Sequence, residues 1–316
     1  MKVGTVRVFV AGGTGVIGRA VVRALVKDGH EVVATARSKE KADLVRSLGA
    51  EPVFVDILNR DGLEFAMAKC PWVFNLTSVI PRSMSSAPAD WAQNDRVRTQ
   101  GTEILVYAAR TVRAELYVHT SVALVHGDGG ADLVDEETPP SPGPLLQSAF
   151  DGETHVQKAA IDGLNVLVLR PATIYSPEAW HTKWVVDAVR SGRMRVPGTG
   201  KNFISSIHVD DLAAAYLAAA RHGKPGESFL LSDDEPLTLR DYADAWAEAA
   251  GAPPPRSVSP FLARLALGRT TLEAVQMSLR LSNRRAREKL GWTPKYRSVR
   301  EGAKAVVTQM DGMRRE

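Results

Sequence analysis

The stretch Val8-Phe9-Val10-Ala11-Gly12-Gly13-Thr14-Gly15-Val16-Ile17-Gly18 decides the fold. Its first four residues read as a buried strand, and the apolar spacing over Ile17–Lys27 reads as a helix. Glycines at 12, 15 and 18 permit a tight turn, close backbone approach to a pyrophosphate, and close packing of helix on strand. The helix then aims its free N–H groups at the negative charge. Gly12, Thr14, Gly15, Val16 and Ile17 are therefore expected to hold a dinucleotide.

Working outward, Val6–Ala11, Glu31–Ala36, Pro52–Asp56, Trp72–Thr77, Leu116–Thr120 and Val166–Arg170 read as Val-rich buried strands. Helical candidates such as Ile17–Lys27 and Lys39–Leu48 lie between them. Such alternation calls for right-handed crossovers and a parallel sheet covered on both faces. The expected class is α/β: a Rossmann-type doubly wound parallel sheet over residues 1–171. Residues 172–316 are expected to form mainly a smaller C-terminal substrate-binding lobe, with room for segments to return to the sheet. Longer helices (Asp211–Arg221, Leu239–Ala250, Ser298–Met310) alternate there with short apolar runs such as Ser228–Leu231, and the proline-rich Ala252–Pro260 reads as a loop.

The end of the second strand chooses the coenzyme. NAD-selective sites usually place an acid there to grip the ribose 2′-hydroxyl. This chain has Thr35-Ala36-Arg37-Ser38-Lys39 instead. No acid repels a 2′-phosphate, Arg37 offers a planar fork, and Ser38 adds a hydroxyl, so NADP(H) is expected.

Composition narrows the remaining classes. The chain has 316 residues, of which 44% are hydrophobic and 24% charged, with a net charge of +4 spread along it. A nucleic-acid partner is not favoured by so diffuse a charge. The one cysteine, Cys70, rules out an internal disulfide framework and suits a reducing, cytoplasmic setting. No export signal is visible, and no run of about 18 uncharged apolar residues offers a membrane span. The nearest approach to a P-loop, Gly198-Thr199-Gly200-Lys201, has Arg195 where its leading glycine belongs, and no metal-ligand motif appears.

The order of motifs resembles the extended short-chain dehydrogenase/reductase superfamily, whose members include NAD-dependent epimerases and dehydratases. The resemblance rests on Gly12-x-x-Gly15-x-x-Gly18, Asp56-Ile57, Asn75-Leu76-Thr77-Ser78, Asn94 and Gly101-Thr102. It continues through His119-Thr120-Ser121 with Gly127, Arg170-Pro171, Val209-Asp210-Asp211-Leu212-Ala213 and Lys289-Leu290-Gly291-Trp292-Thr293-Pro294. It implies Asp56 and Ile57 beside the adenine, and Leu76, Thr77, Ser78 and Thr120 along the coenzyme. It also implies the backbone of Pro171, Ala172, Thr173 and Ile174 near the nicotinamide amide. The local residue chemistry favours Asp210 or Asp211 as a helix cap.

One element of that pattern is missing. Members are expected to carry Tyr-x-x-x-Lys, in which the phenol moves the proton and the lysine lowers its pKa. Four residues beyond Tyr107, Tyr117, Tyr175, Tyr216, Tyr242 and Tyr296 stand Thr111, Ser121, Ala179, Ala220, Trp246 and Arg300. Either Thr154 and Lys158 or, preferred for helix length, Leu145 and Ala149 occupy the pair's positions. The partner hydroxyl is expected at Val122, with Ser121 one residue away as the candidate catalytic group. His126 reads as a packed imidazole, while Tyr175 and Ser78 remain possible hydrogen-bond donors at the pocket, expected along Ser78–Met84 and Tyr175–Trp184.

A positioned general acid contributes about 10²–10⁴ in rate. A reductase acting on a carbonyl already polarised can forgo it, whereas an epimerase must strip a proton from a weakly acidic alcohol. The sequence therefore points first to an NADPH-dependent ketoreductase for an activated, aromatic or polyketide-type ketone, with the proton from water or substrate; the chain's resemblance to atypical reductases of antibiotic pathways implies a role in antibiotic tailoring. Alternatives are a catalytically silent NADP(H)-binding sensor or assembly protein, and a sugar-nucleotide epimerase or dehydratase. Nothing in the sequence fixes the oligomeric state.

Overall fold

The computed structural model describes residues 4–82 and 88–314. Seven parallel strands form the central sheet: β1 (Arg7–Ala11), β2 (Glu31–Ala36), β3 (Glu51–Phe54), β4 (Trp72–Asn75), β5 (Leu116–Thr120), β6 (Val166–Pro171) and β7 (Ser228–Leu231). Their spatial order is β7-β6-β5-β4-β1-β2-β3. The direction of winding reverses between β1 and β4, which opens a crevice at the carboxyl ends where an open α/β sheet binds its ligand.

Strand pleating divides the sheet's apolar side chains between two layers. Val8 and Val10 pack on one face with Leu25, Leu212 and Tyr216; Phe9 and Ala11 pack on the other with Leu63, Leu105 and Val156. Successive residues of a strand point to opposite faces, so a strand buried on both sides reads as a continuous apolar run. One layer is the Val16–Lys27 and Val209–His222 helices; the other is Arg60–Met67, Thr102–Thr111 and Gln147–Ile161.

Ser228–Leu231 lies in the sheet as its edge strand, in register with Val168–Pro171, and is no part of a separate lobe. The Ala252–Pro260 segment also carries structure, because Arg256–Val258 pairs in parallel with Arg195–Pro197. The remaining C-terminal chain has its own core, in which Val186, Trp246, Val306 and Met310 bring together the Trp180–Arg190, Leu239–Ala249 and Val299–Met313 helices. Thr238 caps the second of these by accepting from the Asp241 N–H at 3.1 Å.

Neither Asp210 nor Asp211 is the helix cap that their sequence position suggested. His208 Nδ1 accepts from the Asp210 N–H, while the Asp211 carboxylate accepts from the N–H groups of Lys295 and Tyr296. Asp211 thus pins the C-terminal loop rather than the start of its own helix. Trp292, buried, donates its indole N–H to the Asp211 carbonyl.

Candidate active site

The β1 turn is built for close approach. Gly12 has φ +84°, and a Cβ there would lie 2.6 Å from the Leu76 carbonyl oxygen. A Cβ on Gly18 would meet the Gly12 oxygen at 2.1 Å. These two glycines are required by the fold itself. Gly15 is different: it is exposed, and its added Cβ would come no nearer than 3.4 Å to any protein atom outside its chain neighbours. The protein leaves that space open.

Behind Gly15 the Val16–Lys27 helix begins with no side-chain cap and no acid in its first turn. Four N–H groups at a helix start lack internal partners and carry a partial positive charge. With the open cradle at Gly15, Thr14, Val16 and Ile17 fit a diphosphate. Gly12 is held in turn by its N–H to the Thr35 hydroxyl, 3.0 Å.

At the end of β2, Arg37 is exposed and makes no ion pair or hydrogen bond among the described residues. Ser38 caps the Lys39–Ser47 helix by accepting from the Lys41 N–H at 3.3 Å. Its oxygen therefore already has a structural duty. Beyond β3, the Asp56 carboxylate accepts from the Leu58 N–H and shapes the turn that presents Ile57. Ile57 is half-buried beside Gly101, where an added Cβ would lie 2.9 Å from its Cδ1.

A cleft at the carboxyl ends of β1, β4, β5 and β6 encloses about 720 Å³, part of it open solvent. It brings together Ile17, Leu76, Thr77, Ser78, Thr120, Ser121 and the Pro171–Ile174 segment. Asn75 organises its floor: its amide oxygen accepts from the Thr77 N–H and hydroxyl, and its NH₂ reaches Thr102 and Tyr117. Thr120 Oγ1 and Tyr216 OH lie 2.6 Å apart, so that hydroxyl is engaged. Ser121 is fixed by its N–H to the Leu169 carbonyl, while its hydroxyl is buried and without a partner. Val122 also borders the cleft.

No tyrosine lines this cleft among the described residues. Ala149 does, and Leu145 lines the neighbouring cavity, so the preferred Leu145/Ala149 positions face the site. Lys158 is exposed further along the same helix. Tyr175 is not a donor at the pocket. It is fully buried in the C-terminal core, and its hydroxyl donates to Asp233 Oδ2 at 3.1 Å.

His126 is packed too. Its Nε2 lies 3.2 Å from Arg170 Nη1, which can only donate, so that nitrogen is an acceptor. Burial, with the Arg170 charge adding to it, pushes the imidazole down to about 4. Arg170 is itself clasped by Glu153 through its Nε and its Nη2, the latter at 2.6 Å. That buried pair joins the helix bearing Ala149 to β6.

A larger cavity of about 1540 Å³, again partly open solvent, adjoins the cleft, and Leu124, Ala172 and Thr173 border both. The walls are mainly apolar and aromatic, including Trp91, Trp184, Met194, Phe203, Leu267 and Val275. His181 and Trp184 lie here and Ser78 and Ile80 in the cleft; positions 83 and 84 of the expected lining fall outside the described residues. Arg98 also borders the cleft, and nothing in its sequence neighbourhood distinguished it from a solvated helical arginine.

Comparison with known proteins agrees with this arrangement. A Streptomyces 3-diazoavenalumate denitrifying reductase is 33% identical over 94% of this chain and 98% of its own. A 4-hydroxy-2-methyl-3-oxo-4-farnesyl-3,4-dihydroquinoline-1-oxide ketoreductase of Stigmatella aurantiaca is 33% identical over 78% of this chain and 73% of its own. Among solved structures, UDP-glucose 4-epimerase of Thermotoga maritima superimposes with a TM-score of 0.82 at 22% identity, covering 98% of this chain and all of that one. The model of the NAD dependent epimerase/dehydratase family matches residues 8–232, so the chain belongs to that family of extended short-chain oxidoreductases.

Proposed function

We propose that this protein is an NADP(H)-dependent reductase of a bulky, apolar, aromatic-type ketone in secondary metabolism, working without a tyrosine acid. The observation that supports this is a cleft at the carboxyl ends of the strands, with no tyrosine among its described lining, set beside a large and mainly apolar cavity. Ligand sites of this kind are mostly apolar, with a few placed polar groups. A nucleotide sugar would leave its hydroxyls and phosphates against Phe203, Met194 and Val275, which supports a reductase over an epimerase.

The same reading gives each part of the chain a task. The Gly12–Ile17 turn would hold the diphosphate, Arg37 the 2′-phosphate, and Asp56 and Ile57 the adenosine end. Leu76, Thr77 and Ser78, with Thr120 and Pro171–Ile174, would flank the nicotinamide end. When bound, the reduced coenzyme supplies the hydride. The protein orients the ketone, excludes water with apolar walls, and offers the Ser121 hydroxyl to its oxygen. Orientation alone is worth several powers of ten in rate. The final proton comes from water or from a hydroxyl on the substrate.

Both 33%-identical relatives are named as reductases, and one is named for a farnesylated dihydroquinoline, a bulky and largely apolar molecule in keeping with the apolar walls of this cavity. The other relative favours a second substrate class, a diazo arene, whose reductive loss of nitrogen likewise asks no phenol of the enzyme. The test is to follow nicotinamide absorbance with purified protein, NADPH, and a panel of quinones, aromatic ketones and diazo arenes. Turnover with alcohol formation supports the ketone reading, and turnover confined to diazo arenes the second. Tight NADPH binding without turnover of any of them would leave a sensor.

A further inference from the structure

Arg98 lines the same cleft as Ala149, the position preferred for the missing lysine. The Ala92–Arg96 helix passes into Thr102–Thr111 through a π-helical turn, Val97–Gly101, and Arg98 lies within it. Widened turns of this kind are uncommon and concentrate at functional sites. Opposite them, the Gln147–Ile161 helix comes unusually close: a Cβ on Gly152 would lie 2.6 Å from the Arg98 carbonyl oxygen. The residue that this helix turns to the cleft, Ala149, carries no charge.

Arg98 is the one formally charged residue among the described residues lining the cleft. Its Nη1 is buried and has no hydrogen-bond partner among them. Burial pulls its pKa below the usual guanidinium value, opposed by the Asp95 carboxylate, which is occupied by the Ser148 hydroxyl at 2.7 Å. The other titratable neighbour, His119, is buried and held down to about 4, so it stays neutral. An unsatisfied buried donor is costly and rare. Here two residues that carry one, Arg98 at its Nη1 and Ser121 at its Oγ, line the same cleft.

We infer that Arg98 is a catalytic residue that receives the substrate's oxygen, and that with Ser121 it replaces the absent Tyr/Lys pair by fixed positive charge. This rests on the reductase reading above. In the step it serves, the carbonyl carbon gains hydride from the reduced dinucleotide and the π pair moves onto oxygen. The alkoxide so formed lies against Arg98, then takes its proton from water or a substrate hydroxyl. Arginine stays charged throughout the accessible pH range, so it stabilises the oxyanion without donating the proton. The site thus selects substrates whose reacting group ends in oxygen, and it disfavours cationic ones.

Two readouts separate this inference from the reading beneath it. The first is calorimetric binding of 2-naphthoate, an aromatic carboxylate, to the NADP⁺ complex, with neutral 2-naphthamide as control. Arg98→Met should weaken naphthoate about ten- to a hundredfold, as expected for a lost charge-assisted hydrogen bond, and leave naphthamide within about threefold. Arg98→Lys, which keeps the charge, should retain most of the affinity. The second is NADPH-dependent reduction of phenanthrenequinone, where Arg98→Met should lower kcat about 10²–10³-fold with little change in KM. Naphthoate bound equally by folded wild type and Arg98→Met, or not bound by wild type, overturns the inference. Naphthoate binding that depends on Arg98 in a protein that reduces no ketone sinks the reductase reading while the oxyanion site stands.

Discussion

At the residue scale, Gly15 and Gly18 look alike in sequence and differ in consequence. An alanine at 18 collides with the Gly12 carbonyl at 2.1 Å, and both partners are backbone. Gly18→Ala should therefore unfold well below the wild-type midpoint in a thermal melt. Gly15→Ala has room and an ordinary φ of −73°, so it should melt within a few degrees of wild type and yet bind NADPH at least about tenfold more weakly. Equal effects of the two would mean that Gly15 serves the fold alone. Arg37→Asp should raise the NADPH dissociation constant about a hundredfold and that of NADH little, measured by fluorescence titration. The histidines set a further expectation. His119 and His126 are both held down to about 4, chiefly by burial, so neither changes charge near neutrality. The kcat profile should be flat from about pH 6 to about pH 9, and an inflection near 6.5 would implicate an imidazole.

At the scale of elements, the Gln147–Ile161 helix is the wall on which the chemistry depends. Its buried Glu153 clamps Arg170 at the end of β6, immediately before the Pro171–Ile174 segment. Glu153→Gln should cost about 3–5 kcal/mol by chemical denaturation, because it strands a buried guanidinium. Most elements were legible in the sequence, since strands such as Glu31–Ala36 and Leu116–Thr120 are short, mostly apolar and buried along nearly their whole length. Ser228–Leu231 is one of the later segments that return to the sheet; three apolar residues in a row carry no period that names their neighbour, and only the pairing with β6 does so. Tyr175 misled for a similar reason. It follows the Pro171–Ile174 segment closely, but strand alternation turns it into the C-terminal core against Asp233. Arg98 was invisible for the opposite reason: helical spacing alone places it among polar neighbours, and no local pattern announces the π turn in which it lies or the cleft that it lines.

At the scale of the whole molecule, the C-terminal core carries a pH sensitivity on the alkaline side. Asp233 is buried beside Tyr175, and burial, reinforced by the Asp211 charge, raises its carboxyl to about 8. Unfolded, it would lose its proton near 3.8. The folded chain therefore holds an extra proton between these values, and stability falls as pH rises through that window, with the loss complete above about 8. Asp233→Asn, which keeps the shape and cannot ionise, should flatten the decline in melting temperature between about pH 6.5 and about pH 8.5. An unchanged slope would place the sensitivity elsewhere.

The junction of the two cavities at Leu124, Ala172 and Thr173 has a consequence for ancestry. Among the described residues, all that border the larger chamber apart from Trp91, Ala123, Leu124 and Leu145 follow β6, whereas the cleft draws none from beyond Ile174. The chamber's lining can therefore take a new customer while the cleft keeps its chemistry, so long as the later chain still supplies the Val209–His222 helix and the Ser228–Leu231 edge of the sheet.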